Sequence, residues 1–235
     1  MKKTFIRFSA TVMAATFLFA CQKEMSKNAK ADLSTETSAT SAVTLATPCG
    51  QLRTYTQGGW GASPAGNNPG TYLHANFQAA FGEYLTVGCY PAHYYIKLTS
   101  AQAVTDLLPA GGKGAALTAI YTDPASLKNV LAGQLVALKL SVGFDYADAN
   151  FGQSSVALGD MIIGSGTFKG NTVADFLALG EEVLGGCSKD FTPDQIVETA
   201  TSINENFDNG TADKGFLTCP NDSGNPGGGT PAIYY

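Results

Sequence analysis

The sequence predicts a mainly α domain with a small β element, linked by disulfides. Three observations predict it. Four segments open with a helix cap and continue with apolar residues at three- and four-residue steps, and a fifth repeats leucine at that spacing. Only two segments have β-prone composition. Four cysteines lie within or at the edges of the same stretch. Charged residues are 14 % of the 235 and hydrophobic ones 44 %, which suits a packed core and excludes a disordered or coiled-coil chain. The expected layout is a leader over 1–20, a tether over 21–48, a single helical domain over 49–219 and a Gly/Pro-rich tail over 220–235.

Asn68-Pro69 places a cap and then a proline at the first helical position, with Leu73, Phe77, Ala80 and Phe81 on one face. Tyr94 to Leu98 reads as a strand. Thr99-Ser100-Ala101-Gln102 reads as a capping box ahead of Val104, Leu107 and Leu108, with Pro109 as the stop. Ala115 to Ile120 reads as another short helix. Leu127, Leu131, Leu135, Leu138 and Val142 mark the most apolar helix, expected at the centre. Gly133 within it implies that another element crosses closely, since glycine costs up to about 1 kcal/mol in a helix interior. Gln134, if buried, needs partners for its amide. Lys139 reads as a surface position, where truncation costs less than about 0.5 kcal/mol. Val156 to Ile163 reads as the second strand. Thr172 caps a helix carrying Val173, Phe176, Leu177, Val183 and Leu184. Thr192-Pro193-Asp194-Gln195 joins a capping box to a first-turn proline, and Asn209-Gly210 stops that helix.

The first residues carry Lys2, Lys3 and Arg7, then an uncharged apolar run from Ser9 to Ala20. That run is shorter than the roughly 20 residues a spanning helix needs, so it reads as a secretory signal peptide. Leu18-Phe19-Ala20-Cys21 resembles the lipobox of bacterial lipoproteins. The resemblance implies cleavage before Cys21 and lipidation of its sulfur, hence stable membrane anchoring without a span. No segment after Cys21 is expected to cross a membrane. Gln22 stands where an Asp commonly retains such proteins at the inner membrane, so the resemblance implies the outer membrane of the cell envelope. Lys23-Glu24 partly resembles a surface-export signal. Met25 to Pro48 is rich in Ser, Thr and Ala and reads as a flexible tether with a reach of roughly 29 Å.

Net charge is −5; without Lys2, Lys3 and Arg7, 11 positive charges face 19 acids. A phosphate-binding surface needs a basic face, so nucleic acid is excluded as a partner. Cys49, Cys89, Cys187 and Cys219 form an even set in an exported chain, which favours disulfides over free thiols or zinc. Three connectivities are open. Domain ends often lie close together, so position pairs Cys49 with Cys219 and leaves Cys89 with Cys187.

Chemistry is sparse. Ser165 lies in Gly164-Ser165-Gly166, which does not complete a nucleophile elbow. Gly111-Gly112-Lys113-Gly114 lacks the rest of a phosphate loop. His74 and His93, the chain's two histidines, read as a helix residue and a strand-edge residue. Glu181-Glu182 reads as solvated. Asp208 to Asp213 and the set Asp145, Asp148 and Asn150 carry oxygen donors but miss a calcium loop, and read as turn residues. No cofactor, metal or catalytic residue is expected.

Thr56-Gln57-Gly58-Gly59-Trp60-Gly61, Asn67-Asn68-Pro69-Gly70, Leu98-Thr99-Ser100-Ala101, Leu108-Pro109-Ala110-Gly111-Gly112, Leu131-Ala132-Gly133-Gln134-Leu135-Val136-Ala137-Leu138 and Ile203-Asn204-Glu205-Asn206-Phe207 together resemble a module of bacterial secreted and cell-surface proteins. A broader relative of that module sits in surface or matrix proteins beside adhesion-type domains. The resemblance implies location and architecture and brings no activity with it. Gln57 to Trp60 reads as a segment packing Trp60 into the core, with a ligand-facing aromatic loop as the alternative. The expected function is a non-enzymatic, membrane-anchored module that binds or spaces an envelope or matrix glycan or protein. The alternative is an envelope glycan hydrolase using Asp145 and Asp148, with Tyr90, Tyr94, Tyr95 and Tyr146 as aromatic walls.

Overall fold

The computed structural model describes residues 49–220. The expected leader, the lipidated Cys21, the tether and the tail beyond residue 220 lie outside the described residues.

In chain order the elements are β1 (Gly50–Gln51), α1 (Gln57–Trp60), α2 (Pro69–Phe81), β2 (Leu85–Gly88), β3 (Tyr95–Leu98), α3 (Ala101–Leu107), β4 (Tyr121–Thr122), α4 (Val130–Ala147), β5 (Gln153–Ser154), β6 (Ile162–Ile163), α5 (Val173–Gly185), α6 (Pro193–Asn206) and β7 (Leu217–Thr218). The described residues are therefore mainly helical, with three small sheets. β1 pairs antiparallel with β5, and β6 with β7. β2 pairs antiparallel with β3, which takes β4 on its other side in parallel.

Caps set most helix starts. The Asn68 side chain accepts from Thr71 N at 2.8 Å, and Thr172 from Asp175 N at 3.0 Å. Thr192 and Gln195 complete a capping box, with Thr192 N donating to Gln195 Oε1 at 2.9 Å. The box expected at Thr99 is a simple cap instead: Ser100 accepts from Ala103 N, while the Thr99 hydroxyl donates to Asp123. The central helix begins at Val130 rather than at Leu127. Asn129 stops it there by accepting from the N–H groups of Leu131 and Ala132.

Two expected elements are not there. Residues 115–120 form neither helix nor strand, and Leu117 N donates to Leu184 O at 2.7 Å. The glycines before them supply no cap, and α5 takes the backbone bond a helix would have used. Residues 156–163 are not one strand. Asp145 accepts from Leu158 N at 2.6 Å and draws residues 158–160 into a 3-10 turn, leaving β5 before it and β6 after. β2 went unpredicted, because its four residues carry no signal until β3 pairs with them.

α4 is buried on more than one face: Leu131, Leu135, Val136, Leu138, Leu140 and Phe144 are all fully buried. α1, α2, α5 and α6 pack around it. Its 18 residues are long and apolar enough to cross a membrane, which corrects the expectation that nothing after Cys21 is. The enclosing helices account for that composition, as in the core of a globular protein. The crossing implied by Gly133 is the Gln57 side chain, which occupies the space a Cβ there would need. Gln57 Oε1 then accepts from Ala110 N at 3.0 Å.

Cys49 is bonded to Cys219 (S–S 2.05 Å) and Cys89 to Cys187 (2.15 Å). The first closes the described chain end to end. The second closes a loop with a sequence separation of 98 and in the chain-entropy model stabilises by about 4–5 kcal/mol.

Leu135 is fully buried and fills the space left by Gly180 of α5. Leu135→Ala is expected to cost about 2–5 kcal/mol, read from urea unfolding of the full chain. An unshifted midpoint would remove α4 from the core.

Candidate functional site

Most residues singled out in the sequence are engaged in holding the fold. Trp60 is fully buried; its Nε1 donates to Ser141 Oγ at 3.2 Å and its ring stacks on Phe151 with centroids 5.9 Å apart. The aromatic-loop alternative for Gln57 to Trp60 therefore falls. Asn204 Nδ2 donates to Gln134 Oε1 at 2.8 Å, which supplies the amide partner that Gln134 needed. Asn206 spans its loop, donating to Asp213 Oδ1 and accepting from Phe216 N. Phe207 N donates to Thr54 Oγ1. The motifs behind the resemblance to a surface module are thus packing and clamping residues.

The candidate acids are also occupied. Asp145 is largely buried, and burial pushes its carboxyl up to about 6, against the lowering pull of the Leu158 N–H. Asp148 accepts from Tyr72 Oη at 2.7 Å and from Asn150 N at 2.9 Å. The Tyr72 bond is the main reason its carboxyl lies below the ordinary range. Asp213 Oδ1 accepts from Asn206 and from Gly215 N, while Asp208 forms a parallel β-bridge to Thr54 through its backbone. Among the described residues no group of three His, Cys, Asp or Glu side chains comes together.

Glu181 is not solvated. It pairs with Lys139 at 2.6 Å, accepts from Gly88 N at 3.2 Å, and is held high by burial against those two lowering contacts. Glu181 is inside because its stretch of α5 faces α4 and β2. This corrects the reading of Lys139 as an indifferent surface position: truncating it strands a buried carboxylate, at about 1–3 kcal/mol.

What remains at the surface is aromatic. Tyr84, Tyr90 and Tyr95 meet on the β2–β3 hairpin. Tyr90 and Tyr95 stand edge to face with centroids 4.9 Å apart, and Tyr84 joins Tyr90 at 6.2 Å. The two phenols of Tyr84 and Tyr90 hydrogen-bond at 3.3 Å, which pushes the Tyr84 hydroxyl up. Lys97 Nζ lies over the Tyr84 ring, 3.9 Å from its centroid. Tyr90 is 44 % exposed. Strand alternation puts Tyr95 and Lys97 on the outer face while Ile96 and Leu98 enter the core.

The hairpin carrying this surface is clamped. The Cys89–Cys187 bond ties it to the end of α5, and His93 Nδ1 donates to Gly185 O at 2.5 Å. Of the four tyrosines expected as cleft walls, only Tyr90 and Tyr95 come together. Tyr94 turns its ring to His93, and Tyr146 lies beside Asp160. Tyr84 was missed, because only the β2–β3 register brings it to Tyr90. His74 sits on α2 and bonds Thr105 Oγ1. No hydrogen bond or ring contact among the described residues joins this surface to Asp145 or Asp148.

No family model matches the chain, and no curated protein or solved structure matches it either.

The raised Asp145 carboxyl has a consequence for stability. Between about pH 4 and pH 6 the folded chain holds more protons at this site than the unfolded chain, so this contribution to stability falls as the pH rises. Asp145→Asn keeps an acceptor for Leu158 N and removes the titration. The variant is expected to gain on the parent in urea midpoint from about pH 4 to about pH 6; a pH-independent difference would show that Asp145 does not titrate there.

Proposed function

We propose that the chain is a membrane-anchored lipoprotein of the bacterial envelope whose single helical domain, 49–219, binds an envelope or matrix component without turning it over. One observation carries the binding half: the tyrosine surface of the hairpin is exposed and rigidly held, while the acids a hydrolase would need are spent on the fold. A retaining or inverting glycosidase needs two carboxylates free to face one sugar. Asp145 and Asp148 each hold a donor from their own scaffold. A rigid tyrosine cluster loses little conformational entropy on binding and offers both ring faces and hydroxyls, properties suited to sugars and to peptide surfaces.

The anchoring half rests on Leu18-Phe19-Ala20-Cys21, the basic start before it and the Ser/Thr/Ala-rich composition after it. It favours the outer membrane, with display at the cell surface as the extended form. The lipid is the membrane partner; no nucleic acid, cofactor or metal is part of the proposal.

A glycan array run with the full chain, in parallel with a hydrolysis screen, tests this. Binding without turnover is expected, weakened about tenfold by Tyr90→Ala, while Cys21→Ser should move the chain out of the membrane fraction. Turnover abolished by Asp145→Asn or Asp148→Asn would replace the binding reading with the hydrolase. Retention of Cys21→Ser in the membrane fraction would remove the lipoprotein reading.

A further inference from the structure

Arg53 is the one arginine beyond residue 20. Its chain neighbours are tied to the loop after α6. Gln51 Nε2 donates to Gly210 O at 2.9 Å, and Thr54 N donates to Phe207 O at 3.1 Å. Its side chain runs between the Phe151 ring, 5.9 Å from Cζ to centroid, and Gly210. Gly210 takes a φ of +68°, and a side chain there would stand 3.0 Å from Arg53 Nε, so glycine both makes the turn and leaves the guanidinium its place.

Among the described residues that guanidinium has no counter-ion. The ion pairs among the described residues are Lys139–Glu181 and Lys214–Glu205. Arg53 Nε is buried and has no hydrogen-bond partner among the described residues. Buried donors are nearly always satisfied, and a buried donor left unpaired costs about 1–3 kcal/mol. Two carboxylates border the cavity described below without forming an ion pair with Arg53: Asp145 Oδ1 stands beside Gly152, and Asp148 accepts from Asn150 N. Arg53 lines a cavity of about 90 Å³ with Gln51, Asn150, Phe151, Gly152 and Gln153, beside the β1–β5 ladder.

We propose that this cavity binds the carboxylate of an acidic ligand, with the Arg53 guanidinium as its counter-ion. The planar fork of arginine matches a carboxylate with two parallel N–H···O bonds. The cavity has room for a few waters or one small planar group and not for a whole sugar, so the carboxylate enters and the rest of the ligand stays outside. Asp145 and Asp148 set the charge limit: a monoanion meets less repulsion from them than a phosphate dianion does. The site is independent of the tyrosine surface and does not rest on the function proposed above.

The sequence makes the test direct. Arg7 and Arg53 are the chain's only arginines, so the full chain labelled with nitrogen-15 at arginine alone gives at most two side-chain Nε–Hε signals. Arg7→Lys assigns them without touching the domain. Titration with galacturonate and with N-acetylalanine is expected to move the Arg53 signal saturably, with half-saturation below about 10 mM. Galactose and N-acetylalanine amide should leave it in place. A tighter response to galacturonate identifies an acidic sugar as the source of the carboxylate, and a tighter response to N-acetylalanine a peptide end; either upholds the site. Arg53→Lys, which keeps charge and loses the fork, should weaken binding about tenfold as read by calorimetry. No saturable movement, movement matched by chloride, or tighter binding of inorganic phosphate would each overturn the proposal.

Discussion

α4 is enclosed over most of its length, with exposed residues only at its last two positions, so the polar groups along the enclosed part have to be met by some other part of the chain. That constraint organises the domain. Ser141 accepts from the Trp60 indole and from Tyr55 N, which seats α1. Gln134 receives Asn204 and seats α6, while Lys139 receives Glu181 and seats α5. Asp145 holds the Leu158 turn, and Asp148, just past the last turn, holds Tyr72 of α2. Asn129, at the other end, donates to Ala115 O. Hydrophobic burial supplies the driving force for collapse, but it is non-directional. These pairs are directional, and an unmatched member would leave a buried polar group or charge. They select which neighbour lies where.

The same logic explains why the site is a hairpin. The Lys139–Glu181 pair also receives Gly88 N, so the β2–β3 unit is tied to the helical core through one carboxylate. The Cys89–Cys187 bond and the His93 contact to Gly185 hold its outer end. With its inner residues Val87, Ile96 and Leu98 buried, the strand period forces Tyr95 and Lys97 outward. The rigidity of the tyrosine surface is thus a product of how the core is closed.

Much of the architecture could be read in advance, because caps and periodicity are local signals. Asn68, Thr172 and Thr192 each mark a helix start by accepting from a backbone N–H three residues on, and the leucine spacing marks the central helix. What could not be read depends on partners far along the chain. Glu181 looks solvated beside Glu182 until α4 brings Lys139 to it. Residues 156–163 look like a strand until Asp145 claims Leu158 N. Tyr84 carries no signal of its own and becomes part of the surface only through the hairpin register. Gln57, Trp60 and Asn204 stand out in the sequence as a motif does, and their distinctiveness reflects the demands of α4.

Native-state hydrogen exchange on the full chain tests that account most directly. If α4 is the element every other one is anchored to, its amides from about Leu135 to Phe144 exchange only through global unfolding and outlast those of α2, α5 and α6. Exchange of these α4 amides by local opening, while a surrounding helix keeps its protection, would contradict the account.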